Sequence, residues 1–362
     1  MDSASLTALI DALDGRRVAV IGDVVADEFV YGRVARVSRE APVLILEYDS
    51  TEIVPGAGGN AANNVAALGG RAALVSVIGR DDPGRRLVAA LHPRVISTSV
   101  ARADGTATVI KTRILAGGIH SAKQQVVRID RGVGRPLDAR TRERFERAAL
   151  ASLPAADAVL MSDYGSGLVT PALARRVMTA LRAHPIPVLI DSRYGLLKYR
   201  GLTACTPNES EVEQALGVRI NDNARALEGA GREILKRTAM KAVLVTRGSR
   251  GMALFVPGAP TVHIPIHGSD EIADVTGAGD TVMATMTLAL AAGATFEAAA
   301  RLANYAGGVV VMKRGTATVS RTELRAAVDL SRRSTGAGAT RGAKPDLSRR
   351  SAGAARGAKA DG

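Results

Sequence analysis

The sequence predicts an α/β fold in three layers, a central and mostly parallel sheet between two sets of helices, with a small antiparallel β lid over the active face. Continuously apolar runs recur as VAVIG near 18–22, ALVSVIG near 73–79, AVLMSDY near 158–164, PVLID near 187–191 and AVLVT near 242–246. Helical periodicity fills the intervals, and strands apolar along their whole length must be covered on both faces. A second texture interrupts this pattern. Segments 29–34, 43–50 and 107–129 carry β-branched residues in partial alternation with charges and glycines, as exposed antiparallel lid strands do.

Length allows one large α/β domain or two modest ones, and a composition 46% apolar excludes disorder across the whole chain. MDSASLTALIDALDGRRVAV has early acidic residues and no uninterrupted apolar core, so no signal peptide is expected. The longest gentle apolar stretch, Val282 to Thr295, is shorter than the roughly 20 residues of a membrane span. A cytoplasmic protein without a membrane partner is the expectation. Cys205 is the sole cysteine, which excludes an intramolecular disulfide and a multi-cysteine metal site.

From Ser331 onward the composition collapses to Ser, Arg, Gly, Ala and Lys, too little apolar surface to offset the entropy of ordering. The division expected is therefore a domain over 1–330 and a basic, disordered tail over 331–362. The tail carries eight basic and two acidic residues, so it holds +6 of the chain's +13. Nonspecific phosphate contact by that tail is an accessory property, and no specific nucleic-acid partner is expected.

The chemistry concentrates in DVTGAGD, Asp274 to Asp280, which enters the apolar, Ala-rich run TVMATMTLALAAGAT. A glycine-bearing turn that opens a buried helix aims backbone amides at an anion, here those of Gly277, Ala278 and Gly279. A carboxylate just past such a nest repels the anion unless it handles a proton. Asp280 is placed to take a hydroxyl proton while the amides stabilise a transferring phosphoryl group. Taken alone, the heptapeptide also fits a capped tight turn. No GxxxxGK[ST], HRD or DFG occurs, which excludes the commonest nucleotide-binding designs. Gly56 to Gly59 lacks the G-x-G-x-x-G spacing of a dinucleotide site.

DVTGAGD resembles the C-terminal signature of the ribokinase-like (pfkB) carbohydrate kinases, and PGAGGNAANNVAALGG (Pro55 to Gly70) resembles their first signature. TPNESE (Thr206 to Glu211) and TRGSRG (Thr246 to Gly251) follow in the family's order. Within it, GDVVADEFVYGRVARVSREAPV, KQQVVRIDR, SDYGSG, YRGLTACTPNESE and NYAGGVVVMKRGTATVS look most like the heptose 7-phosphate kinases, over about residues 15–328. The nucleotidyltransferase domain of bifunctional relatives is not expected, since only the tail follows.

The resemblance implies a ribokinase-like fold, ATP and Mg2+ as cofactors, K+ as a further candidate, and a homodimer clasped through the lid. It places Asp27, Gly59 and Asn60 against the sugar, and Asp163 in SDYGSG beside it. Lys111, Arg113 and Arg193 are the cations that would meet a phosphorylated sugar, although a solvated basic face explains the first two equally well. Asn208 and Glu211 match an N-x-x-E motif whose carboxylate organises Mg2+ through water, Asn208 being equally a helix N-cap. Thr246, Gly248 and Gly251 match a loop touching the nucleotide, Asn304 a position near adenine, and Asp274 with Thr276 a monovalent-cation loop.

Two cationic positions depart from the heptose kinases, which show Lys where Ser166 stands and D-P-K where Asp191-Ser192-Arg193 stands. An insertion, GIHSAK (Gly118 to Lys123), enlarges the lid. Transfer of the ATP γ-phosphoryl group to O1 of heptose 7-phosphate is the leading expectation. The same chemistry on another sugar or sugar phosphate is the alternative, and a sugar- or nucleotide-binding protein without turnover is a third.

Overall fold

The structure is a computed structural model that describes residues 3–117, 123–132, 137–268 and 273–339. In chain order the elements are α1 (Ser3–Ala12), β1 (Arg17–Gly22), β2 (Val24–Val37), β3 (Leu44–Ala57), α2 (Gly58–Ala67), β4 (Arg71–Gly79), α3 (Asp82–Ala89), β5 (Val95–Ala103), β6 (Ile110–Gly117) and β7 (Gln124–Arg131). There follow α4 (Ala139–Ala151), β8 (Ala158–Asp163), α5 (Pro171–Ala180), β9 (Val188–Ser192), β10 (Ala204–Cys205), α6 (Glu209–Leu216), α7 (Ala224–Thr238) and β11 (Ala242–Thr246). The chain closes through β12 (Met252–Phe255), β13 (Val262–Ile264), α8 (Ala278–Ala291), α9 (Phe296–Val311) and α10 (Arg321–Ala339).

Nine strands form one sheet in the order β13-β12-β11-β10-β9-β8-β1-β4-β5, parallel from β11 to β5 and closed at one edge by the antiparallel β12 and β13. Alternate residues of each strand feed two separate cores. Val18 and Val20 of β1 and Leu160 of β8 pack beneath α1, α2, α8, α9 and α10. Ala19, Ile21, Val159 and Met161 pack beneath α4, α5, α6 and α7. That division is the physical origin of the three layers, and it is why these strands read as unbroken apolar runs.

Helix α8 is buried from Asp280 to Leu290, which requires a helix apolar all round. The outer helices start on side-chain caps: Asp81, Asp138, Thr170, Asn223 and Thr295 each accept a first-turn amide hydrogen bond. Among the described residues no helix is long and apolar enough to cross a membrane.

The lid is a second sheet in the order β3-β2-β6-β7. Both outer pairs, β2 with β3 and β6 with β7, are antiparallel, and the inner pair β2 and β6 runs parallel. β2 and β3 reach further into the molecule than alternation predicts. Val24 to Ala26 and Gly56 to Ala57 are buried and join the lid to the base of the site.

The compositional break at Ser331 does not coincide with a helix end. Helix α10 continues to Ala339, past the compositional break at Ser331, and the Tyr305 hydroxyl stands 3.1 Å from Ser331 Oγ. The rest of the basic tail, 340–362, lies outside the described residues, as does the lid insertion except Lys123, which pairs with Asp49.

Candidate active site

The parallel strands end along one line, and their C-terminal edges face the start of α8, the usual place for a ligand in such sheets. Gly277 adopts φ 77° as the N-cap, a left-handed turn that suits glycine, and a Cβ there would stand 2.5 Å from Asn60 Nδ2. The expected nest of three amides narrows to two. Ala278 N–H donates to Val275 O at 3.2 Å, while the amides at Gly277 and Gly279 open the helix. A Cβ on Gly279 would meet nothing within 4 Å, so the space above it is open.

Asp280 is 6% exposed. Its Oδ2 accepts from Asn60 Nδ2 at 3.0 Å and its Oδ1 from the Tyr164 hydroxyl at 3.0 Å. Burial pushes its pKa up to about 7, partly offset by those two donors and by Lys111, and reinforced by Asp27. Asn60 is itself held, donating also to Gly277 O at 3.1 Å and receiving Asn64 Nδ2 on Oδ1 at 3.0 Å. Two motifs more than two hundred residues apart thus build one carboxylate site.

Asp27 lies on β2, 5% exposed. Its Oδ1 pairs with Arg113 at 2.5 Å and its Oδ2 accepts from the Thr316 hydroxyl at 3.1 Å. The glycine that gives this carboxylate room is Gly56, where a Cβ would lie 2.3 Å from Oδ2. Gly59 packs close to Pro55, at 2.9 Å for a built Cβ.

The Asp163 carboxylate accepts from Ser192 Oγ at 2.8 Å, the Tyr199 hydroxyl at 2.7 Å and Gly165 N–H at 3.1 Å. The β8–β9 register sets Asp163 opposite Ser192, so it ties two strand ends together.

Between lid and sheet a pocket is lined by Lys111, Arg128, Arg193, Tyr164 and the apolar Val25 and Val109. Arg128 makes a bidentate pair with Asp130 at 2.7 and 2.6 Å. Lys111 and Arg193 have no carboxylate partner among the described residues; they stand over the Tyr164 ring at 5.0 and 6.0 Å. Burial and the neighbouring Arg193 lower the Lys111 pKa. Ser166, in place of the relatives' lysine, donates its hydroxyl to the buried Asp23.

Beyond β10, Asn208 and Glu211 form a capping box at the start of α6: Asn208 Oδ1 accepts Glu211 N–H and Glu211 Oε2 accepts Asn208 N–H, both at 2.9 Å. Thr246 N–H donates to Pro207 O at 2.9 Å, which joins the TPNESE and TRGSRG loops. Gly248 and Gly251 take φ 57° and 75° in that second loop. Asn304 donates to Pro265 O at 2.9 Å and so anchors the loop after β13. Asp274 accepts Thr276 N–H at 2.9 Å and Gly315 N–H at 3.1 Å, an anionic post for the loop before α8.

Asp191, Arg128 and Tyr164 are site residues to which sequence reasoning assigned no role. Burial raises the Asp191 pKa well above the usual range, reinforced by Glu211, Asp280 and Asp163. Among the described residues no cluster of three or more His, Cys, Asp or Glu is arranged to hold a metal directly. A magnesium ion carried by nucleotide phosphates and reached through water fits Asp191 and Glu211 better than a protein-only site.

The model of the pfkB family carbohydrate kinases matches residues 16–323. The chain is 38% identical over 335 residues to the bifunctional protein HldE of Trichlorobacter lovleyi, covering 92% of this chain and 67% of that protein. With the HldE of Geobacter metallireducens it is 41% identical over 307 residues, covering 84% and 61%. The chain thus spans about two thirds of the length of these relatives. Arabidopsis thaliana ribokinase complexed with ribose and ATP matches with TM-score 0.65 and 20% identity, over 87% of this chain and 99% of that one. Escherichia coli phosphofructokinase-2 in complex with fructose-6-phosphate matches with TM-score 0.67 and 19% identity, over 88% and 99%. Likeness at such identities shows the fold.

Proposed function

The chain belongs to the pfkB family of carbohydrate kinases, and from that membership we propose that it phosphorylates O1 of heptose 7-phosphate with ATP, giving the 1,7-bisphosphate. The observation that carries the reading is a carboxylate with a pKa of about 7 beside open helix-start amides, across from a cationic pocket. Asp280 takes the proton from the sugar hydroxyl as its oxygen attacks the γ-phosphorus. The bond to the β–γ bridging oxygen breaks, ADP leaves, and the amides of Gly277 and Gly279 stabilise the charge on the transferring group. Magnesium bound with ATP would neutralise phosphate charge, and Asp191 and Glu211 are the residues that would hold it through water. Asp274, with Thr276, is the candidate post for a monovalent cation.

Asp27 holds sugar hydroxyls, and Lys111, Arg128 and Arg193 take the distal phosphate. Half-buried Lys111 has no carboxylate partner among the described residues, which supports an anionic acceptor. ADP release should be measured over heptose 7-phosphate, fructose phosphates, ribose and nucleosides. Heptose 7-phosphate is expected to lead, and Lys111→Met to raise its KM by about 10- to 100-fold, the loss of one charge-assisted contact. Ribose turned over as well as any sugar phosphate would remove the anion-pocket reading.

We also propose a homodimer through the lid. Val37, Val43, Leu44, Tyr48, Val127 and Ile129 are exposed apolar side chains, and β3 and β7 are sheet edges. Light scattering at micromolar concentration should give a dimer mass, and Leu44→Glu with Tyr48→Glu a monomer. A wild-type monomer would remove the proposal.

A further inference from the structure

Tyr164 touches both halves of the site. Its backbone is pinned: the amide donates to Asp23 Oδ2 at 2.7 Å, and Ser166 binds the same carboxylate through its amide and hydroxyl. Gly165 turns the chain at φ 86°, and a Cβ there would stand 2.9 Å from the Tyr194 ring. The backbone that carries the phenol ring is therefore held by its own loop, independently of Asp280.

From that fixed position the hydroxyl donates to Asp280 Oδ1, while Asn60 serves the other oxygen. Lys111 and Arg193, both lining the acceptor pocket, stand over the ring. We propose that Tyr164 is a positioning residue that orients the Asp280 carboxylate and keeps it ionised for proton abstraction, and that it forms the wall joining the anion pocket to the base. The proposal rests on Asp280 as the base.

The groups that face Asp280 have separable effects. Asn60 on α2 and Tyr164 after β8 donate to it; Lys111 on β6 favours its ionised form, and Asp27 on β2 opposes it. Asp191 on β9 faces the same space, with Arg193 beside it. Burial, with Asp280 and Asp191 nearby, raises the Tyr164 pKa well above its usual value, so the phenol stays protonated and remains a donor. Losing that donor removes stabilisation from the ionised carboxylate and must raise its pKa.

Tyr164→Phe keeps the ring and its cations and deletes only the hydroxyl. With ATP and heptose 7-phosphate, or the sugar that the acceptor panel selects instead, kcat at pH 7 should fall about 10- to 100-fold, the worth of one hydrogen bond to a charged group. The acidic limb of the kcat–pH profile should move to higher pH, while acceptor KM stays near wild type and melting temperature falls by only a few degrees. Should the Phe variant fold poorly, 3-fluorotyrosine at 164, a more acidic phenol and stronger donor, should move the limb to lower pH. An unmoved limb in a folded variant overturns the proposal. Asp280→Asn separates the two failures. If it is inactive while the Tyr164 limb is unmoved, only the role of Tyr164 falls; if it turns over normally, the base assignment falls first.

Discussion

Asp27→Ala should lose stability and acceptor use together, by separable causes. The carboxylate is the partner of Arg113, whose side chain is 11% exposed, and it accepts from Thr316. Removing one partner of a buried ion pair leaves an uncompensated charge, at a cost of about 3 to 5 kcal/mol. Melting temperature should fall by roughly 5 to 10 °C for a domain of this size. If Asp27 also holds two sugar hydroxyls, kcat/KM for the acceptor should fall by about 10²- to 10³-fold as those contacts vanish. Asp27→Ala with Arg113→Met removes both charges and should restore most of the melting temperature without restoring acceptor use. Recovery of both in the double variant would make Asp27 scaffolding alone.

The layers were legible because the inner strands of the main sheet, β1, β4 and β8 to β12, are buried on both faces, and a short, unbroken apolar run between helical stretches fits little except a strand covered on both sides. The lid was legible as texture but not in extent. Val24 to Ala26 and Gly56 to Ala57 lie outside the segments with lid texture because they are buried, yet they pair as lid strands. Composition placed the end of the domain at Ser331, yet helix α10 runs on to Ala339. Composition alone has no means of sensing a helix begun at Arg321 and continuing in register.

Within the site, Asp280 stood out because a glycine turn entering an apolar helix constrains its neighbours chemically, whereas Asn60 entered only through the resemblance and as a sugar contact, with no sign of its bond to Asp280. Nothing in the sequence signalled the bond between Asp163 and its register partner Ser192, since an acidic residue at a strand end reads the same whatever it faces. Tyr164, Asp191 and Arg128 gain their meaning only when separate strand ends meet. A signal for Asp191 existed in its place at the C-terminal end of a parallel strand. None existed for the contact between Tyr164 and Asp280, which depends on how the loop after β8 is tied to Asp23.

The most direct measurement is turnover by Asp280→Asn, which keeps the side chain's size and deletes the base. General bases contribute about 10²- to 10⁴-fold, so kcat should fall by that factor, about 3 to 5 kcal/mol of barrier. Nucleotide affinity should hold or improve, because a negative charge beside the γ-phosphate is gone while the amides of Gly277 and Gly279 remain. Stability supplies an independent sign. The folded pKa of about 7 exceeds the ordinary value of 3.8, so the native state holds this proton more tightly than the unfolded chain. Its contribution is most favourable below pH 3.8 and is lost as pH rises through about 7. At pH 8 the ionised, buried carboxylate costs roughly 2 to 4 kcal/mol, which the Asn variant escapes, so its melting temperature should equal or exceed wild type. In wild type, kcat/KM should rise as pH passes through about 7, and that limb should vanish in the variant. A capping role for Asp280 requires the reverse: lower melting temperature, weaker ATP binding and near-normal turnover. Inactive but stable Asp280→Asn with intact nucleotide binding is the result expected; wild-type kcat in that variant would contradict the proposal that Asp280 is the base of this kinase.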